Sequence, residues 1–361
     1  MDNIIAIYTR SGYPSSNVTK YISDYAGTPV NTLIISGPNG YNGGIVYNDP
    51  PYPMFNSSGD YTGDTNWASS LTQLKNNTNI TNIFFSIGNS AISALASMGS
   101  SNLNNILVSL KNSGITGVDI DAENWGQPGG LDPMDPAVQK VTLAVIQVGL
   151  ALTASPYNNL SGWQSWQTFV NNNGGSISWF NVQCYAGGTG NDPVQDWYTQ
   201  FTPSVPIVAG FEATNSGSDG GQLTPTQALQ QLQSWQSELP QNSLAGAFVW
   251  EFSLILDGGN TVSEYATAMK EGLNTYYATY TLTPGGALVP DAIRVASNLN
   301  VNICINNSRT DSVIGQFAGT PEVTCPAGNT TLLYSMNGGN LGLIDYINVT
   351  SLGLSSSLIW E

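Results

Sequence analysis

Asp119, Asp121 and Glu123 stand two residues apart in the segment Gly117-Val-Asp-Ile-Asp-Ala-Glu123. Side chains on a strand alternate between faces, so this spacing sends three carboxyl groups to one side and Val118, Ile120 and Ala122 to the other. Carboxylates crowded together away from water do not all ionise readily. Like charge raises at least one pKa, and the row titrates as a coupled unit. A carboxyl group kept protonated near neutrality is a general acid. The apolar alternation speaks against a solvated acidic strand. A divalent-cation site stays open as an alternative, because hard cations favour carboxylates. The chain contains no His, which removes Ser-His-Asp and Cys-His chemistry and leaves carboxylates as the natural proton carriers.

Positioning such a row requires a covered strand. Eight short, nearly continuous apolar runs recur along the chain: Ile4–Thr9, Thr32–Ser36, Ile83–Gly88, Gly117–Glu123, Leu150–Ser155, Trp179–Tyr185, Ile207–Ala213 and Ala247–Phe252. Runs of this kind fit parallel strands buried on both faces. Helix-length segments lie between them: Ser90–Lys111, Asp135–Gln147 with Pro136 at its first helical position, Thr224–Glu238 and Thr261–Thr275. The count and spacing predict a (β/α)8 TIM barrel over residues 1–280, with Glu123 at the C-terminal mouth where active sites of this fold lie. The competing open doubly wound sheet usually carries a Gly-rich phosphate turn after its first strand, and Thr9-Arg-Ser-Gly-Tyr13 is not one.

After about Tyr280 the pattern changes to short β-branched segments separated by turn residues, which predicts a small all-β, sandwich-like domain over 281–361. Its plain role is packing or self-association. Exposed Tyr334, Tyr346 and Trp360 would instead make it a carbohydrate-binding module. Cys304 and Cys325 lie in this stretch and could form a disulfide, whereas Cys184 reads as a buried thiol.

Only 9% of the 361 residues are charged, and 8 basic residues against 24 acidic ones leave a net charge of −16. That balance argues against nucleic acid, which needs clustered cations, and against an anionic membrane surface. A neutral polysaccharide is unaffected by it. No apolar run approaches the length of a membrane span, and the residues after Met1 lack the basic region and long apolar stretch of a leader. The polar but nearly uncharged composition leans towards an extracellular, secreted or surface-associated protein. Sequons such as those at Asn17, Asn56, Asn76, Asn79 and Asn159 permit glycosylation.

Gly117-Val-Asp-Ile-Asp-Ala-Glu123 resembles the D-G-x-D-x-D-x-E signature of glycoside hydrolase family 18, the chitinases and related endo-N-acetylglucosaminidases, with Thr116 in place of the first Asp. Three further segments are similar in order: Ser86-Ile-Gly-Asn89 to S-x-G-G with its last Gly replaced, Gln183-Cys-Tyr185 to Q-x-Y, and Trp250 to the tryptophan that floors the sugar subsite. The resemblance spans roughly residues 1–278. It implies a TIM barrel that hydrolyses β-1,4-linked N-acetylglucosamine in chitin or related glycans, with retention and without cofactor or metal. The substrate's own acetamido oxygen replaces the second catalytic carboxylate in this family.

On that resemblance, Glu123 is the proton donor, Asp121 orients the acetamido group, Asp119 tunes Asp121, and Tyr185 hydrogen-bonds the acetamido carbonyl. Trp250 stacks on the pyranose, Gln183 and Ser86 contact substrate or support the acids, and Tyr8 and Trp125 are subsite walls or core. Glu212 either meets sugar hydroxyls or is an internally satisfied polar group. The alternative is a non-catalytic lectin-like or structural surface protein, which the departures at Thr116 and Asn89 keep open.

Overall fold

The computed structural model describes residues 3–47, 52–124, 126, 128–214, 221–239 and 244–273, together with the backbone strands Thr279–Leu282, Leu288–Ala292, Ile347–Ser351 and Leu354–Leu358. The chain divides into two compact units, one of residues 1–235 and 244–273, the other of 236–243 and 274–361.

The first unit is a closed barrel. Its strands are β1 (Ile4–Thr9), β2 (Thr32–Ile35), β3 (Asn82–Gly88), β4 (Gly117–Asp121), β5 (Ala151–Ala154), β6 (Trp179–Gln183), β7 (Ile207–Ala213) and β8 (Gly246–Trp250). Each pairs in parallel with the next, and β8 pairs with β1 to close the ring. All eight expected strands are present in the expected order, so the fold is a (β/α)8 barrel. No helix among the described residues is long and apolar enough to cross a membrane.

Strand β6 illustrates why these runs are apolar throughout. Phe180 packs outward against Trp163, Trp197 and Phe201, at ring separations of 5.8, 6.2 and 4.9 Å. Trp179, next to it, points inward and meets Phe84 of β3 at 4.8 Å. Both faces are buried, so alternation by polarity is lost while alternation by direction persists. Trp163 and Trp166 are buried core of the helix Leu160–Asn172. Inside the barrel, glycine makes room for large neighbours: a methyl at Gly210 would fall 1.9 Å from Cζ of Phe248, and one at Gly117 would fall 2.3 Å from the Phe84 ring.

Several boundaries differ from expectation. The strand through the acids ends at Asp121, two residues before Glu123. Both neighbours leave the ladder there: β3 turns into a helix at Asn89, and β5 runs into Pro156, which has no N–H to donate. The expected helix Ser90–Lys111 is two helices, Asn89–Ser97 and Ser100–Asn112. Met98 and Gly99 between them are extended, and Gly is the weakest helix former short of Pro. The helix Pro136–Val148 starts as expected, but the Asp135 side chain makes no cap bond and instead accepts from the amide of Asp132 at 2.6 Å.

A three-stranded antiparallel sheet, Pro38–Tyr41, Gly44–Tyr47 and Tyr52–Phe55, is inserted after β2 and was not anticipated. Asn42-Gly43 turns its first hairpin with φ of 49° and 74°, the left-handed pair that such tight hairpins favour. Cys184 is a free cysteine whose residue is partly exposed while its thiol is buried, as expected, and that burial pushes the thiol pKa up.

In the second unit the four backbone strands form two antiparallel hairpins, Thr279–Leu282 with Leu288–Ala292 and Ile347–Ser351 with Leu354–Leu358. Cys304, Cys325, Tyr334, Tyr346 and Trp360 lie outside the described residues.

Candidate active site

The period-two pattern that gathers acids on β4 gathers their partners on the neighbouring strands. Ser86 of β3 and Thr153 of β5 stand level with Asp119. Asn181 of β6 and Tyr8 of β1 reach it across the barrel. Asp119 is wholly buried and accepts four hydrogen bonds, two on each oxygen: from the hydroxyls of Tyr8 (3.0 Å) and Ser86 (2.8 Å) on Oδ2, and from Thr153 Oγ1 (2.8 Å) and Asn181 Nδ2 (3.1 Å) on Oδ1. Trp179 donates to the Asn181 carbonyl oxygen at 2.9 Å, which turns the Asn181 amide nitrogen towards Asp119. Burial pushes the Asp119 pKa up, and these four donors act against that by favouring the ionised form. With both oxygens so occupied, Asp119 has little left to offer a cation.

Asp121 sits one step closer to the mouth. Its Oδ1 accepts from Ser155 Oγ at 2.9 Å and from Gln183 Nε2 at 3.3 Å. Burial raises its pKa well above the usual carboxylate range, and the charges of Glu123 and Asp119 and contact with the Glu123 carboxyl push in the same direction. Gln183 also donates to Glu123 Oε1 at 2.7 Å and to the Ser155 carbonyl at 2.9 Å, so one amide group ties the two acids together.

Glu123 itself lies beyond the strand, in a loop that is held rather than loose. Its backbone N–H donates to Asn89 Oδ1 (3.0 Å), and its carbonyl accepts from Asn89 Nδ2 (2.7 Å) and from the Leu131 amide (3.1 Å). Further along, Asp132 accepts from Asn124 and from Asn159, each at 2.9 Å. Asn159, with φ of 60°, also caps the helix Leu160–Asn172 through the amide of Gly162. Its sequon nitrogen is therefore already engaged.

Tyr185, two residues past β6, is buried, and its hydroxyl makes no hydrogen bond among the described residues. Burial raises its pKa well above normal, and the charges of Asp121, Glu123 and Glu212 add to this. Glu212 of β7 is buried and level with Trp250 of β8. Trp250 is partly exposed, with the Tyr8 ring 5.5 Å away and the Arg10 guanidinium 5.2 Å over its ring. The Trp250–Glu251 peptide is cis. Glu251 is buried and accepts from the Arg10 amide and the Ser253 hydroxyl.

Asp121, Glu123, Gln183, Tyr185, Glu212 and Trp250 are thus brought to one end of one barrel, with Asp119 one step beneath them. Tyr8 and Ser86 lie beneath that end, fully buried, with their hydroxyls committed to Asp119. Trp125 lies outside the described residues. Sequence reasoning did not single out Thr153, Ser155 or Asn181. They occupy inward positions of β5 and β6 or the residue just after, so the alternation that marked the acids marks them as well. Asn89 stood out only as a departure from S-x-G-G, with no local signal for what its side chain meets.

The pairing and the interior acids define the class: a (β/α)8 barrel with two carboxyl groups bridged by one amide at its C-terminal mouth. No family model and no curated protein sequence matches the chain. Among solved structures it is similar to the GH18 chitinase ChiB of Flavobacterium johnsoniae, at 14% identity over 76% of this chain and 94% of that one, with a TM-score of 0.49. It is also similar to human YKL-39, described as a pseudo-chitinase with retained chitooligosaccharide binding (12% identity, 76% and 100%, TM-score 0.46). A tamarind chitinase-like lectin is a third (13% identity, 74% and 99%, TM-score 0.45).

Proposed function

We propose that this protein is a secreted, retaining glycoside hydrolase that cleaves β-1,4-linked N-acetylglucosamine polymers, chitin or a related glycan, by substrate-assisted catalysis. The observation that carries this reading is the Gln183 amide bridging Asp121 and Glu123 at the barrel mouth, with an uncommitted Tyr185 hydroxyl beside them.

In the proposed first step the acetamido oxygen of the sugar attacks the anomeric carbon as the glycosidic C–O bond breaks. Glu123 gives its proton to the leaving oxygen. Asp121, held by Ser155 and Gln183, orients the acetamido N–H and offsets the positive charge that develops on the oxazolinium ring. Tyr185 donates to the acetamido oxygen and fixes it on its line of attack. In the second step water adds to the anomeric carbon, Glu123 takes its proton, and the ring opens with net retention. Asp119 acts from below, its charge raising the proton affinity of Asp121 and adding to the negative field that the developing oxazolinium meets. Trp250 supplies an apolar ring for a sugar face. Positioned general-acid catalysis of this kind is worth about 10²–10⁴-fold in rate.

Release of fluorophore from a chitobioside or chitotrioside by wild type and by Glu123→Gln tests the reading. Turnover by wild type that falls about 10²–10⁴-fold in the variant is the expected result. Equal, near-zero rates on these and on longer chitin oligomers would leave binding without hydrolysis, the role of a lectin or surface protein.

A further inference from the structure

The β3–β4 ladder has its last register pair at Gly88 and Asp121. Beyond it β3 becomes the helix Asn89–Ser97, and no strand remains to pair with Glu123. The Asn89 side chain takes that place. Its carboxamide presents one acceptor and one donor, as a peptide unit does, and it meets both backbone groups of Glu123: N–H to Oδ1 at 3.0 Å and Nδ2–H to the carbonyl at 2.7 Å.

We propose that Asn89 is the positioning residue of Glu123: its amide clamps both backbone groups of Glu123 just past the end of the parallel ladder and fixes the backbone from which the acid projects. The inference rests on Glu123 being the proton donor. Asn and Gln carry a donor and an acceptor on separate atoms of one planar, uncharged group, which is what this clamp uses. An Asp in this place keeps the acceptor for the Glu123 N–H but turns the second contact into two oxygens facing each other. An Ala removes both. The same backbone carbonyl also receives the Leu131 amide, and Gly130 packs so closely that a methyl there would come within 3.2 Å of it. Losing the clamp therefore frees the segment on its β3 side while the loop still presses from the other, and Glu123 shifts rather than melting away. A displacement of about 1 Å at a catalytic group can cost on the order of 10²-fold in rate.

The test combines steady-state kinetics on a fluorogenic chitotrioside, amide hydrogen exchange resolved at Glu123, and thermal melts for wild type, Asn89→Ala and Asn89→Asp. Asn89→Ala is expected to lower kcat about 10–100-fold, leave KM within about twofold and speed exchange of the Glu123 amide. Asn89→Asp is expected to keep that amide protected, since its acceptor survives, yet still lower kcat. Unchanged kcat and unchanged exchange in Asn89→Ala overturn the proposal, as does a rise in KM alone. If Asn89→Ala does not fold, Asn89→Asp decides by the same two readouts. A wild type without turnover defeats the proposed function. In that case accelerated exchange confined to Glu123 and its neighbours still supports the clamp, and unchanged exchange removes it.

Discussion

One amide nitrogen of Gln183 lies 3.3 Å from Asp121 Oδ1 and 2.7 Å from Glu123 Oε1. A neutral donor so placed stabilises negative charge on both acids without adding a cation. Removing it in Gln183→Leu should move the Asp121 titration, already raised by burial and by the charges of Glu123 and Asp119, further up. Carboxyl NMR titration of the variant checks this. An unchanged midpoint would show that Gln183 does not bear on the pair, and a lowered one would contradict the sign.

Asp121→Asn should stabilise the protein near neutrality while abolishing turnover. The folded-state pKa of Asp121 is above its ordinary value of 3.8. Between the two values the folded chain therefore binds more protons than the unfolded one, and stability falls as pH rises through that window. The amide variant carries no such term and can still accept from Ser155. Its melting temperature should exceed that of wild type near neutral pH, and the gap should close as pH falls towards the ordinary carboxylate range. A gap that widens on acidification would contradict the sign.

The hydroxyl of Thr153 is one of four donors to a carboxylate with no access to water. Thr153→Val preserves shape and removes that donor, so it should destabilise by about 1.5–3 kcal/mol, the range for hydrogen bonds to charged groups. In an Asp119→Asn background the same change should matter less, with a coupling on the order of 0.5–3 kcal/mol measured by urea denaturation. Strict additivity would mean that the bond contributes no charge stabilisation.

Gly210 faces Phe248 across the barrel interior, where a methyl would fall 1.9 Å from the ring. Gly210→Ala is expected to lower stability by about 1–3 kcal/mol through overpacking. Adding Phe248→Leu should return part of the loss, as seen in denaturant midpoints. No recovery would place the strain elsewhere.

The strand sequence was legible because both its signals are local. A run of five to seven apolar residues reports burial on two faces, and the period of two reports direction whatever lies around it. Those two signals alone place Asp119, Asp121 and Glu123 on one side, and Gln183, Tyr185, Glu212 and Trp250 at strand ends. The Asn42-Gly43 hairpin signal was equally local, but the residues around it lack the length that marks a barrel strand. The end of β4 was misplaced because it depends on where its neighbours turn away, at Asn89 and Pro156.

The sequence by itself therefore determined that an acidic row faces inward and that carboxylates, in a chain without His, are the natural proton carriers. Tertiary structure decided which groups answer those acids. Thr153 and Asn181 reach Asp119 from 34 and 62 residues away, and Asn89 meets the backbone of Glu123 from 34 residues away. Such partners are fixed by the register of parallel strands joined through crossover helices. That register comes from how the closed barrel packs, and no local pattern in the chain encodes it.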